Sequence, residues 1–208
     1  MIRILVSNSK GGCGKTTIAT NLAGMFARAG LSTALADSDR QRSALAWLAR
    51  RDAAAPPIVG LDWRKNPGEV PPGIARLVID APAALRGKEV EALLLEADLV
   101  VVPILPSLFD EVSSARFLAR LDELKPVRRG KKPVLVVANR LRARSRARQR
   151  LETFLAELGH PPVARLAERA LYGELALEGL SVFDAPRGEA AAALAEWRPL
   201  LRAIEEAG

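Results

Sequence analysis

Aromatic side chains are scarce in this chain. Three tryptophans, five phenylalanines and one tyrosine make up 4% of its 208 residues. None of the tryptophans or the tyrosine falls in the basic stretch described below, so a platform that stacks the bases of a single strand is excluded there. The one cysteine, Cys13, rules out an internal disulfide and suits a reducing cytoplasm. No apolar run approaches the roughly 20 residues that span a bilayer. The chain passes straight into a strand pattern at Ile2, so no secretory signal is expected. Acidic residues are missing altogether from Lys125 to Arg150, a stretch holding eleven Lys or Arg. The rest of the chain has 20 cations against 24 anions, a net of −4, although the whole carries +7. All the surplus positive charge sits in one eighth of the sequence, which asks for a polyanionic partner.

What is present begins at the amino terminus. Ile2, Ile4, Leu5 and Val6 form an apolar run, followed by Ser9-Lys10-Gly11-Gly12-Cys13-Gly14-Lys15-Thr16-Thr17. A strand emptying into a glycine-rich turn, then a helix opened by Lys-Thr, is a cradle for nucleotide phosphates. Glycines let backbone N–H groups converge on anionic oxygens, and the helix adds the positive end of its dipole. In this pattern Lys15 reaches the β- and γ-phosphates and the Thr16 hydroxyl ligates Mg2+. The usual phosphate loop reads G-x-x-x-x-G-K-[ST]; here Ser9 takes its first position, and a second lysine, Lys10, precedes Lys15 by five residues. Cys13 fills a variable position and is given no catalytic role.

Apolar strand patterns at Ile2–Val6, Thr33–Ala36, Leu77–Ile79, Leu99–Val102 and Val134–Ala138 alternate with helical ones. The helical patterns cover Thr16–Ala29, Ser43–Arg51, Lys88–Glu96 and Asp110–Leu124. Strands apolar on both faces, alternating with helices, predict an α/β fold with a doubly wound, mostly parallel sheet in one domain. Leu151, Phe154, Leu155 and Leu158 share a helix face, and a last helix is expected over about Glu189–Glu205, kinked at Pro199. Ligands bind such sheets at the carboxyl ends of the strands. The phosphate loop, Asp37, Asp80, Pro103 and Asn139 all fall there.

The K-G-G-x-G-K-T-T string resembles the deviant Walker A motif of the ParA/MinD family of dimeric ATPases. Further segments carry the likeness to about Phe183. Asp37-Ser38-Asp39-Arg40-Gln41-Arg42-Ser43 stands where the family has D-x-D-P-Q-G-x. Leu77–Asp80 is a Walker B strand, Ala97–Ser107 resembles A-D-x-V-h-h-P-h-x-P-S, and Asn139-Arg140 matches the family's N-R. Arg169–Phe183 is similar to R-x-x-Y-x-x-A-x-x-G-x-S-V of the short ParA type, which lacks an N-terminal DNA-binding extension.

The resemblance implies the following. ATP and Mg2+ are the cofactors, bound by Gly11, Gly12, Cys13, Gly14, Lys15, Thr16 and Thr17, with Asn139 and Arg140 beside the adenine. Thr16, Asp37 and Asp80 belong to the metal shell, Asp39 positions the attacking water, and Lys10 crosses a homodimer interface to the other subunit's nucleotide. Arg40 and Arg42 replace the family's Pro and Gly. Relatives bind double-stranded DNA without sequence preference, on the nucleoid, and a ParB-like or other cargo adaptor stimulates slow ATP hydrolysis. The cargo is a plasmid, a chromosome or a protein assembly.

For this chain the DNA contacts are expected at Arg142, Arg144, Arg146, Arg148 and Arg150, because arginine suits phosphate. A dimer touching about six phosphates has a log K against log salt slope of roughly −5. A solvated, weakly ordered surface is the competing reading of that run. The alternative function is a MinD-like ATPase cycling on a membrane. It needs a basic, apolar terminal helix, whereas the chain ends Ile204-Glu205-Glu206-Ala207-Gly208, so no membrane partner is expected.

Overall fold

The structure is a computed structural model that describes residues 1–83, 88–143 and 145–208. Seven strands form one sheet: β1 (Ile2–Val6), β2 (Thr33–Asp37), β3 (Val59–Asp62), β4 (Arg76–Asp80), β5 (Leu99–Ile104), β6 (Val134–Leu141) and β7 (Ala164–Ala167). Their order is β3-β2-β4-β1-β5-β6-β7, and every pairing is parallel. The helices are α1 (Lys15–Arg28), α2 (Ser43–Leu48), α3 (Lys88–Glu96), α4 (Leu108–Glu123), α5 (Lys125–Arg128), α6 (Arg146–Glu157), α7 (Leu171–Leu177) and α8 (Arg187–Ala207).

Strand residues alternate between two cores, as the pleat requires. Leu5, Leu77, Ile79, Val100 and Val102 point to the side covered by α3, α4 and α6, where Leu94, Phe117, Leu121, Leu151 and Leu155 meet them. Ile4, Val6, Val78, Leu99 and Val101 point to the other side, against Ile18, Leu22 and Phe26 of α1 and Trp197, Leu200 and Ile204 of α8. Both faces of the central strands are therefore dry, which is why those strands read as unbroken apolar runs.

Two strands had no apolar run to announce them. β3 is four residues with little burial, and β7 is Ala-Arg-Leu-Ala with a buried–exposed alternation; both lie at the edges of the sheet. α2 stops at Leu48, three residues short of the expected Arg51. α8 is assigned as one helix of 21 residues running through Pro199. β1 lies centrally, with β4 on one side and β5 on the other, so the loop after it opens into the crevice where the winding reverses.

Candidate nucleotide-binding site

The turn between β1 and α1 is shaped by left-handed glycines and by polar side chains from distant strands. Gly12 and Gly14 have φ of 76° and 96°, a region that L residues enter only with strain. A Cβ on Gly14 would also strike the Asn139 side-chain nitrogen. Asn8, buried at the end of β1, donates from Nδ2 to the Pro103 carbonyl at 2.8 Å and to Ser114 Oγ at 3.0 Å. Its Oδ1 accepts the Lys10 N–H at 3.1 Å. Sequence reading passed over Asn8, because its partners lie about a hundred residues away.

Lys15, the first residue of α1, is buried, and its ammonium donates to the Lys10 carbonyl at 2.9 Å. Thr16 Oγ1 donates to Asp80 Oδ2 at 2.7 Å, joining the helix start to the end of β4. The remaining Asp80 oxygen, Oδ1, is buried without a hydrogen-bond partner. Burial, reinforced by the nearby Asp37 and Asp39 carboxylates, pushes the Asp80 carboxyl up to about 7, against the opposing pull of Thr16 and Lys15. A buried carboxylate with one unsatisfied oxygen beside a Thr hydroxyl is a hard oxygen donor set for a divalent cation, so Thr16 and Asp80 fit Mg2+.

Asp37 is differently employed. It is fully buried; Oδ1 accepts the Asp39 N–H at 2.9 Å, and Oδ2 accepts those of Ala44 and Leu45 at 2.9 and 3.0 Å. Both its oxygens shape the turn from β2 into α2, which fixes the carboxylate at the strand end. Asp39 is half-buried, and its Oδ1 accepts the Gln41 N–H at 2.9 Å. Arg40 and Arg42 are exposed. Arg42 caps α2 with φ of 55°, in the left-handed conformation for which the family pattern keeps glycine.

Asn139 and Arg140 sit where the β6–β7 register shifts. The irregularity turns neighbouring side chains to different tasks: Asn139 is buried, while Arg140, at φ 51°, is exposed. Asn139 Nδ2 donates to the Cys13 carbonyl at 2.8 Å, so the residue first braces the phosphate loop. Its Oδ1 then remains as an acceptor. Both residues border a cavity of about 400 Å3 with Thr17, Arg169, Tyr172 and Trp197. A larger hollow of about 560 Å3 lies outside this site along α4, beside Ser9 and the exposed Leu108, Phe109 and Val112. Cys13 is buried, and burial raises its thiol pKa, as befits a packing residue.

The basic stretch does not form one patch. Lys125, Arg128, Arg129 and Lys131 precede β6, while Arg142, Arg146, Arg148 and Arg150 follow it. The eight residues of β6 separate the groups by roughly 26 Å at about 3.3 Å per residue. Lys132 donates to carbonyls at the end of α3. In the second group Arg142 pairs with Glu168, Arg148 with Glu152 and Arg150 with Glu111. The fold thus sets acids beside three of the five arginines expected to contact DNA, acids that the segment itself lacks. Arg146 is exposed and makes no ion pair among the described residues, and Arg144 lies outside them.

The parallel sheet, the loop at its switch point and the Lys15–Thr16–Asp80 cluster define a phosphate-loop nucleoside triphosphatase. Residues 4–182 match the CobQ/CobB/MinD/ParA nucleotide-binding domain family, and the chain belongs to it, within the ParA/MinD superfamily of deviant Walker A ATPases. The maintenance of carboxysome distribution protein A of Halothiobacillus neapolitanus is 30% identical over 197 residues, covering 91% of this chain and 90% of the relative. Among solved structures, a variant of Cyanothece McdA in complex with ATP shares 16% identity at a TM-score of 0.73, covering 100% of this chain and 96% of its own. The septum site-determining protein MinD of Pyrococcus horikoshii, complexed with Mg-ADP, shares 17% at 0.67, with 92% of each chain covered. The cofactors are ATP and Mg2+, and the donor set at Thr16 and Asp80 fits them.

Proposed function

We propose that this chain is a positioning ATPase that dimerises on ATP, rides non-specifically on nucleoid DNA, and moves a cargo when an adaptor stimulates hydrolysis. The observation that carries the reading is the second lysine of the loop: Lys10 is half-buried between two exposed glycines and Ser9, at an open rim of the site. Its carbonyl holds Lys15, and its ammonium is assigned to the nucleotide of a second copy. Mg2+, when bound, neutralises phosphate charge at the γ-position. Lys15 would pair with the β- and γ-phosphates, Thr16 and Asp80 would hold the metal, and Asp39 would orient the attacking water. Asn139 Oδ1 would accept from the 6-amino group of adenine, where guanine presents a carbonyl oxygen instead.

The cargo is a protein assembly of the carboxysome kind, in keeping with the carboxysome-distribution role named for the Halothiobacillus relative. The membrane-cycling alternative loses its main requirement in α8. The apolar residues Ala193, Trp197, Leu200 and Ile204 are spent on the core and do not face a membrane surface.

The test is sedimentation of an Asp39→Ala variant, in which bound ATP persists. A monomer without nucleotide and a dimer with Mg-ATP is the expected pair of states. A monomer in both conditions ends the dimer reading.

A further inference from the structure

Among the arginine–glutamate pairs around α6, one is built unlike the others. The Arg142 side chain is 80% exposed in its pair with Glu168, and the Arg148–Glu152 pair is a partly exposed helical i,i+4 contact; such pairs contribute little. Arg150 instead reaches a carboxylate whose side chain is only 4% exposed, that of Glu111. Its Nε lies 3.2 Å from both carboxylate oxygens and its Nη2 2.9 Å from Oε1. A carboxylate that deep is strongly unfavourable without its cation, so the guanidinium is held where Glu111 needs it.

Glu111 lies in the first turn of α4. One turn on, Ser114 Oγ accepts from Asn8 at 3.0 Å, and Ser113 Oγ stands 3.3 Å from Ser9 Oγ. Asn8 in turn accepts the Lys10 N–H. A single helix thus joins Arg150 to the strand end that launches the phosphate loop. Arg150 belongs to that chain of contacts, although its place in the sequence puts it among the candidate DNA residues.

We propose that Arg150 is a positioning residue of the phosphate loop, acting through Glu111 and α4, and not a contact for a polyanion. The Arg150–Glu111 pair fixes α4 in the register that lets Ser113 and Ser114 support Ser9 and Asn8, and so holds the Lys10 backbone. This rests on the reading of the loop as an ATP site.

The experiment measures Mg-ATP affinity by calorimetry, on the full chain, for Arg150→Gln, Glu111→Gln, the double variant and Arg150→Lys. Arg150→Gln weakens binding about tenfold, within the usual span of coupling between linked sites. The double variant loses no more than the worse single, and Arg150→Lys recovers part of the loss, since an ammonium still meets the carboxylate. Glu111→Gln carries no buried charge, so it reports on the tie even where Arg150→Gln folds poorly. At saturating Mg-ATP, Arg150→Gln keeps the parental salt slope for a 50-base-pair duplex. Parental ATP affinity in both single variants, additive losses in the double, or a DNA slope shallower by about one unit each overturns the proposal. Failure of the parent chain to bind Mg-ATP would instead sink the nucleotide reading itself.

Discussion

At Asp80, burial and two neighbouring carboxylates work against a single hydroxyl and a lysine. The folded carboxyl titrates at about 7 against an ordinary value of 3.8. Between those values the folded chain keeps a proton that the unfolded chain has released, so this group makes stability fall as pH rises from about 4 to about 7. Asp80→Asn removes that dependence. Thermal unfolding without nucleotide should therefore show the variant more stable than the parent at pH 7.5, with the gap shrinking toward pH 5. The same variant should lose Mg2+-dependent ATP binding; a gap that does not change with pH would refute the raised pKa of Asp80. Lys15 and Asp39 separate binding from turnover. Lys15→Ala removes the buried cation facing the phosphates and should abolish Mg-ATP binding. Asp39→Ala should bind ATP and hydrolyse none, and equal affinity losses in the two would contradict these roles. Lys15, Thr16 and Asp39 were legible in sequence because each belongs to a contiguous motif. Asn8, Ser114 and Glu111 were not, because their partners meet only across the folded sheet.

The elements that read clearly from sequence are those whose burial is continuous. β1 and α3 match their expected limits, and α6 begins after Ser145, whose hydroxyl accepts the Arg148 N–H at 3.2 Å as an N-cap should. The edge strands escaped because three residues of β3 and one of β7 are exposed and neither strand exceeds four residues. α2 is the element with an internal conflict. Its cap, Arg42, sits at φ 55° with no side-chain capping bond, and its guanidinium reaches Asp62 only at 3.7 Å. Arg64 already holds both Asp62 oxygens, so little is lost if Arg42 goes. Arg42→Gly relieves the left-handed strain, a gain of about 1 kcal/mol. For a chain of this size that raises Tm by about 2–4 °C. An unchanged or lowered Tm would mean that the Arg42 side chain stabilises the turn by contacts outside this account.

On the scale of the whole molecule, the charge asymmetry survives folding but changes shape. A run that looks like one polyanion-binding stretch becomes two groups at opposite ends of β6, and three of the arginines in the group near the nucleotide pair with glutamates. Arg146, which has no ion pair among the described residues, and Arg142, whose pair is 80% exposed, are the two arginines proposed for phosphate on each protomer, or about four phosphates for a dimer. At about −0.9 per phosphate the expected slope of log K against log salt is roughly −4. Titrating duplex DNA into the Mg-ATP form from low to physiological salt measures it, and two unrelated sequences should give the same line. Arg142→Glu with Arg146→Glu should flatten the slope toward zero and weaken both sequences alike. Reversing Lys125, Arg128, Arg129 and Lys131 instead should leave it intact, because those cations lie at the far end of the sheet from the nucleotide. If the second set flattens the slope and the first does not, DNA meets the opposite edge of the molecule, and the nucleotide site controls it only through dimerisation.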